Sequence, residues 1–124
     1  MSKNFKILTI DGGCTKGIFS SQVLERLERK ILAKNPDERL VDYFDLICGT
    51  STGGIISLAL SQRILASDIV RFYEQNASVI FPPTSKWLKK YRQGRKGWAY
   101  DGNPLKNVLT DLFGEKRLED SECL

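Results

Sequence analysis

Two short apolar runs, Lys6-Ile7-Leu8-Thr9-Ile10 and Phe44-Asp45-Leu46-Ile47-Cys48, each end in a glycine-bearing turn and each lead into a helix-forming stretch. This repetition leaves few folds open. Consecutive strands joined through a helix pair in parallel with a right-handed crossover, which gives a layered α/β architecture. In open sheets of this kind the turns after the strands gather at the carboxyl edge, where ligands bind. The turns Asp11-Gly12-Gly13-Cys14-Thr15-Lys16-Gly17 and Gly49-Thr50-Ser51-Thr52-Gly53 are therefore expected to lie side by side.

The second turn has the form of a nucleophile elbow. A serine on a sharp turn between strand and helix presents its oxygen outward, and flanking glycines let neighbouring backbone pass close by. Ser51 is the candidate nucleophile, with Gly49, Thr50, Thr52 and Gly53 forming the elbow. The first turn offers the complementary chemistry. Backbone N–H groups at Gly12, Gly13 and Cys14, ahead of a helix, suit the oxygen that becomes negative during acyl transfer. A phosphate-binding loop is the competing reading of this turn, but Cys14 stands where a dinucleotide fingerprint wants glycine, and neither turn carries the GxxxxGK[ST] pattern.

The chain contains no histidine, so a Ser-His-Asp triad is excluded, and the serine's proton has to pass to another base, of which a carboxylate is the most available. The three cysteines, Cys14, Cys48 and Cys123, lack CxxC spacing, which argues for reduced thiols and against zinc. No metal and no cofactor is expected. With 124 residues, 41% hydrophobic and 27% charged, the chain is one globular domain or part of one. Leu46 to Gln62 is its longest uncharged run and is too short and too polar to span a membrane. Met1 to Lys6 lacks a signal peptide's apolar stretch, which points to the cytoplasm.

The formal net charge of +4 is concentrated in one place. Between Lys86 and Lys96 stand Lys86, Lys89, Lys90, Arg92, Arg95 and Lys96 without an acid, interleaved with Trp87 and Tyr91 and followed by Trp98. A loop over about 84–100 of this composition suits peripheral contact with anionic lipid head groups. A solvated loop explains the same residues equally well. No RNA- or DNA-binding module accompanies the patch, so no nucleic-acid partner is expected.

Phe19, Val23, Leu27 and Ile31 recur every fourth residue with Leu24 beside them, which predicts an amphipathic helix burying that stripe and exposing Glu25, Arg26, Glu28, Arg29 and Lys30. Asn35-Pro36-Asp37 ends it. The helix after Ser51, apolar at Ile55, Ile56, Leu58, Ala59 and Leu60, is expected to be buried. Ser67 is the expected cap of a helix carrying Ile69, Val70, Phe72 and Tyr73, which Pro82-Pro83 stops. Asn103 and Pro104 are expected to be the N-cap and first residue of a last helix that ends before Gly114.

Taken together, these residues resemble the patatin-like phospholipase family. Its DGGGx[RK]G oxyanion loop and GTSTGG elbow match Asp11 to Gly17 and Gly49 to Gly54 in the same order, and Tyr43-Phe44-Asp45-Leu46-Ile47, Phe72-Tyr73-Glu74, Ile80-Phe81-Pro82 and Tyr100-Asp101-Gly102 look like further family segments. The similarity runs from about Phe5 to Leu118. It implies a three-layer, parallel-sheet α/β fold of which residues 1–124 form the amino-terminal portion. It also implies a serine hydrolase of phospholipid or other acyl lipid, using a Ser-Asp dyad. Cys14 departs from the family's third glycine, and cysteine there adds bulk beside the oxyanion loop. The family's dyad aspartate belongs to a DG[GA] segment well downstream of the elbow, which these residues do not include. Asp101 matches a different segment and is expected to be a turn residue, while Asp11 is expected to order the first turn. Half a dyad implies little esterase activity in the 124 residues alone. A non-catalytic module that keeps this fold and binds membranes or a partner is the alternative.

Overall fold

A computed structural model describes residues 4–80 and 102–121, and the basic-aromatic segment and Asp101 lie outside them. Strand β1 (Ile7–Ile10) leads through a 3₁₀ turn at Cys14–Lys16 into helix α1 (Gly17–Leu32). A second 3₁₀ turn, Leu40–Tyr43, precedes strand β2 (Leu46–Gly49), and helix α2 (Thr52–Ser61) follows at once. Helices α3 (Ala66–Ile80) and α4 (Gly102–Phe113) complete the described elements, with a last 3₁₀ turn at Leu118–Asp120.

The two strands pair in parallel, Ile7 opposite Leu46 and Ile10 opposite Gly49. This is the α/β pairing that the strand-turn-helix repetition predicts, and the register fixes the geometry of everything after it. Because Ile10 and Gly49 are partners, both glycine-bearing turns leave the sheet at the same level. The Thr50 N–H extends the ladder by one bond, donating to the Ile10 carbonyl at 3.3 Å.

The core gathers Ile10 and Ile47 from the strands, Ile56, Ala59 and Leu60 from α2, Ile69, Phe72 and Tyr73 from α3, and Val108 from α4. Tyr73, Ile56, Leu60 and Ile69 are the largest fully buried apolar side chains. At roughly 1.5–3 kcal/mol for each large side chain removed from water, these anchor α2 and α3 together beneath the elbow. Helix α2 lies against both strands, as its apolar composition predicts, although Leu58 faces solvent.

Helix α1 departs from the predicted face. Its buried residues are Gly17, Ser21, Leu24 and Glu28, whereas Phe19 is 71% exposed, Val23 43% and Leu27 45%. The reason is close packing. Gly17 and Ser21 are small enough to bring α1 onto α3, and Gly17 is so near that an added Cβ would stand 3.3 Å from the Tyr73 ring. Glu28, expected in solvent, is 3% exposed and spans two backbone donors: Oε2 accepts the Ala66 N–H at 2.6 Å and Oε1 the Leu40 N–H at 3.3 Å.

That bond also corrects the expected cap of α3. The helix begins at Ala66, so Ser67 lies inside the first turn, and the leading N–H is capped by a carboxyl from another helix. Helix α4 begins at Gly102, placing Asn103 and Pro104 within its first turn, and ends where predicted, with Gly114 at φ +59 closing it through an N–H bond to the Thr110 carbonyl.

Candidate active site

Ser51 sits between β2 and α2 with φ 54 and ψ −122, a positive-φ conformation that a side chain disfavours. Only the chain on both sides holds it there. The Gly53 N–H donates to the Thr50 carbonyl at 2.9 Å, and the Gly54 and Ile55 N–H groups donate to the Ser51 carbonyl at 3.0 and 3.2 Å, so only Thr50 and Ser51 separate the strand from α2. Ser51 is exposed, and among the described residues no group hydrogen-bonds its hydroxyl.

The elbow and the glycine loop touch. A Cβ placed on Gly12 would stand 2.7 Å from the Thr50 carbonyl oxygen and 2.9 Å from the Ser51 Cβ, so only glycine lets the loop come this close to the serine. Gly53 meets the end of β1 in the same way, its absent Cβ falling 2.1 Å from the Ile10 carbonyl oxygen, and Gly49 leaves room for the Gly53 carbonyl at 2.3 Å. Four of the elbow's five residues, Gly49, Thr50, Ser51 and Gly53, thus take part in close backbone approaches or the strained turn itself.

Two hydrogen bonds stitch the turns together. The Gly12 N–H donates to Thr50 Oγ1 at 3.3 Å and the Gly13 N–H to Thr52 Oγ1 at 3.2 Å. Sequence reasoning treats Gly12, Gly13 and Cys14 as three equivalent amides facing a substrate. In the structure the first two meet threonine hydroxyls, and the Cys14 N–H opens the 3₁₀ turn Cys14–Lys16, where leading donors have no acceptor within the turn. The Thr52 N–H, first in α2, stands in the same position at the head of its helix, directly after Ser51.

Asp11 is exposed, and among the described residues its carboxylate forms no hydrogen bond, so the order it was expected to supply comes from the threonines instead. Lys16 closes the loop through its N–H to the Gly13 carbonyl at 3.0 Å and lays its stem against Gly13. Helix α2 starts immediately after Ser51, so the positive end of its dipole lies at the serine. The arrangement suits a developing anion on an atom bonded to the serine oxygen.

Sequence reasoning missed Tyr73 as part of this site. Its hydroxyl donates to the Thr52 carbonyl at 2.9 Å, and its ring is fully buried beneath Gly17. Burial pushes its phenol far above the ordinary tyrosine range, so it stays a neutral donor. Its apolar neighbours at Ile69 and Phe72 made it look like a core residue only. Among the described residues no cluster of three or more potential metal ligands exists, and no helix is long and apolar enough to cross a membrane.

A family model described as patatin-like phospholipase matches residues 8–122. Patatin-like protein 1 of Arabidopsis thaliana is 39% identical over 93% of this chain and 30% of its own length. Patatin-17 of Solanum cardiophyllum is 37% identical over the same shares, and a Solanum tuberosum protein named probable inactive patatin-3-Kuras 1 is 36% identical over 93% of this chain and 31% of its own. The chain thus spans less than a third of these relatives' length. No solved structure matches it.

Proposed function

Because the chain belongs to the patatin-like phospholipase family, we propose that it carries the nucleophile and the oxyanion loop of a serine acyl hydrolase of membrane lipids. Ser51 Oγ adds to the acyl carbonyl of an ester, its proton passes to a carboxylate base, and the alcohol portion of the lipid leaves with that proton. Water then cleaves the acyl-serine ester through the same base. The carbonyl oxygen, negative in the tetrahedral intermediate, is received by N–H groups of the glycine loop, that of Cys14 foremost, and by the Thr52 N–H at the head of α2.

The base is the second half of a Ser-Asp dyad, and it comes from an aspartate downstream of these residues. Peripheral contact with anionic lipid through Lys86 to Lys96 brings the site to its substrate. One observation carries the reading: a strained, exposed serine at a helix N-terminus whose Cβ is in contact range of the glycine loop.

An oxyanion site without its full set of partners still retains roughly 10³–10⁴-fold catalysis over water in serine hydrolases. A fluorophosphonate probe is therefore expected to label the 124-residue protein at Ser51 and not to label Ser51→Ala, while carboxylic ester turnover stays orders of magnitude below that of a site with its base. Absence of any Ser51 adduct in folded protein overturns the reading. Binding to anionic vesicles without labelling supports the non-catalytic membrane module instead.

A further inference from the structure

The glycine loop is held by Thr52 at Gly13 and by Thr52 together with Tyr73 at Gly17. At Gly13, the backbone N–H donates to Thr52 Oγ1 at 3.2 Å. At Gly17, where the loop passes into α1, an added Cβ would meet the Thr52 Cβ at 3.2 Å and the Tyr73 ring at 3.3 Å. Thr52 is 1% exposed and Tyr73 has no exposed surface at all, and the Tyr73 hydroxyl ties to the Thr52 carbonyl at 2.9 Å.

These contacts form a strut. Tyr73 comes from α3, which packs along α1 and is capped at its start by Glu28 of that helix, so the base of the strut belongs to the rigid core. Its tip is the Thr52 hydroxyl, and Thr52 is the residue immediately after Ser51. The serine and the loop facing it are thereby referenced to one side chain.

We infer that Thr52, held in place by Tyr73, is a positioning residue that fixes the height and tilt of the glycine loop over Ser51. The inference rests on the acyl-transfer reading above for its consequence and on the hydrogen bonds for its geometry. Without the Thr52 hydroxyl, the Gly13 N–H loses its acceptor and turns to water, and the loop's remaining donors move with it. Misplacement of such donors by about 1 Å is enough to cost on the order of 100-fold in rate. Thr50 plays the lesser part, because its bond to the Gly12 N–H is exposed to water, whereas that of Thr52 to the Gly13 N–H is partly buried.

The test compares Thr52→Val, Thr52→Ser and Tyr73→Phe in the 124-residue protein, each verified as folded by its urea midpoint. Two quantities are read: the rate of fluorophosphonate labelling at Ser51, and the hydrogen-exchange rate of the Gly13 amide by NMR. Thr52→Val keeps the shape and removes the acceptor, so Gly13 exchange rises and labelling falls, each by about tenfold. Thr52→Ser restores the oxygen and recovers most of both losses, which a purely packing role for Thr52 would not produce. Tyr73→Phe frees the strut at its base, lowers labelling by about threefold and carries the test if Thr52→Val does not fold.

Exchange and labelling within twofold of the parent in both folded Thr52→Val and Tyr73→Phe overturn the inference. So does a failure of Thr52→Ser to recover either quantity. If the parent protein takes no probe, the acyl-transfer reading falls, and Gly13 exchange alone decides whether Thr52 sets the loop.

Discussion

Ser51 stores strain that no neighbouring contact requires of its side chain. Its φ of 54 with ψ of −122 is outside the regions that a residue with a Cβ occupies freely, and such conformations cost of order 1–3 kcal/mol. Glycine reaches that conformation without the steric cost but loses more freedom on folding, by roughly 0.5–1 kcal/mol. Ser51→Ala removes the hydroxyl and keeps the strain, whereas Ser51→Gly removes both. Urea unfolding should therefore place Ser51→Gly about 1 kcal/mol above Ser51→Ala, and equal midpoints would show the elbow to be relaxed. The elbow is legible in the sequence because it needs residue types at fixed offsets: small residues at 49 and 53, a hydroxyl between them, a strand before and a helix after. The hydrogen-bond partners of Gly12 and Gly13 are not legible in that way. They depend on the register of β1 against β2, which sets Thr50 and Thr52 opposite the loop only once the strands have paired.

At the scale of elements, α1 shows how periodicity misleads. Phe19, Val23 and Leu27 make the more apolar stripe, yet Gly17, Ser21, Leu24 and Glu28 are buried, because close approach to α3 favours small residues and a carboxyl that can cap. Hydrophobic pattern reports what a face would gain from burial, not what neighbouring backbone groups need. The Ala66 and Leu40 N–H groups need acceptors, and an unsatisfied buried donor costs about 1–3 kcal/mol. Glu28→Ala is therefore expected to destabilise by at least about 2 kcal/mol, and Glu28→Gln, which keeps one oxygen but turns an NH₂ toward the other donor, by about half as much. Urea midpoints read the order, and amide exchange at the start of α3 locates the damage. Equal losses in the two variants would mean that only volume matters at position 28.

A second element-scale link is acid-sensitive. Asp42 accepts the Arg39 N–H at 2.7 Å, closing the 3₁₀ turn, and holds Arg63, just past the end of α2, through bonds at 2.7 and 3.2 Å. Partial burial works to raise its pKa, but the bonds from Arg63 and the Arg39 backbone outweigh it and leave the carboxyl below the ordinary aspartate range. A carboxyl depressed on folding stabilises the protein above its unfolded pKa, and that contribution disappears as pH falls through the folded value. Stability is thus expected to fall as pH drops below about 4, with Asp42→Asn flattening the slope there. The pair is about one-third exposed on each side, so its share is under about 1 kcal/mol. A slope unchanged by Asp42→Asn would assign the acid sensitivity to other carboxyls.

For the whole molecule, the surface carries what the core does not use. Phe19, Val23 and Leu27 fall on one face of α1 by their spacing, and Phe5 and Ile7 are 68% and 53% exposed at the start of the sheet. Parallel sheets are ordinarily covered on both faces, and among the described residues the sheet has two strands, each an edge that presents unpaired backbone groups. Apolar surface and open edges of this kind drive association at micromolar to millimolar concentration. Sedimentation of the 124-residue protein should accordingly show mass rising with concentration. Phe19→Lys combined with Leu27→Lys should lower that association while leaving the urea midpoint of the monomer within about 0.5 kcal/mol, because neither side chain contributes to the core. If the double variant associates as strongly as the parent, the strand edges and not the α1 face supply the contact, and a charged residue at Ile7 becomes the informative change. A parent that stays monomeric throughout would mean that exposure on this scale is tolerated without a partner.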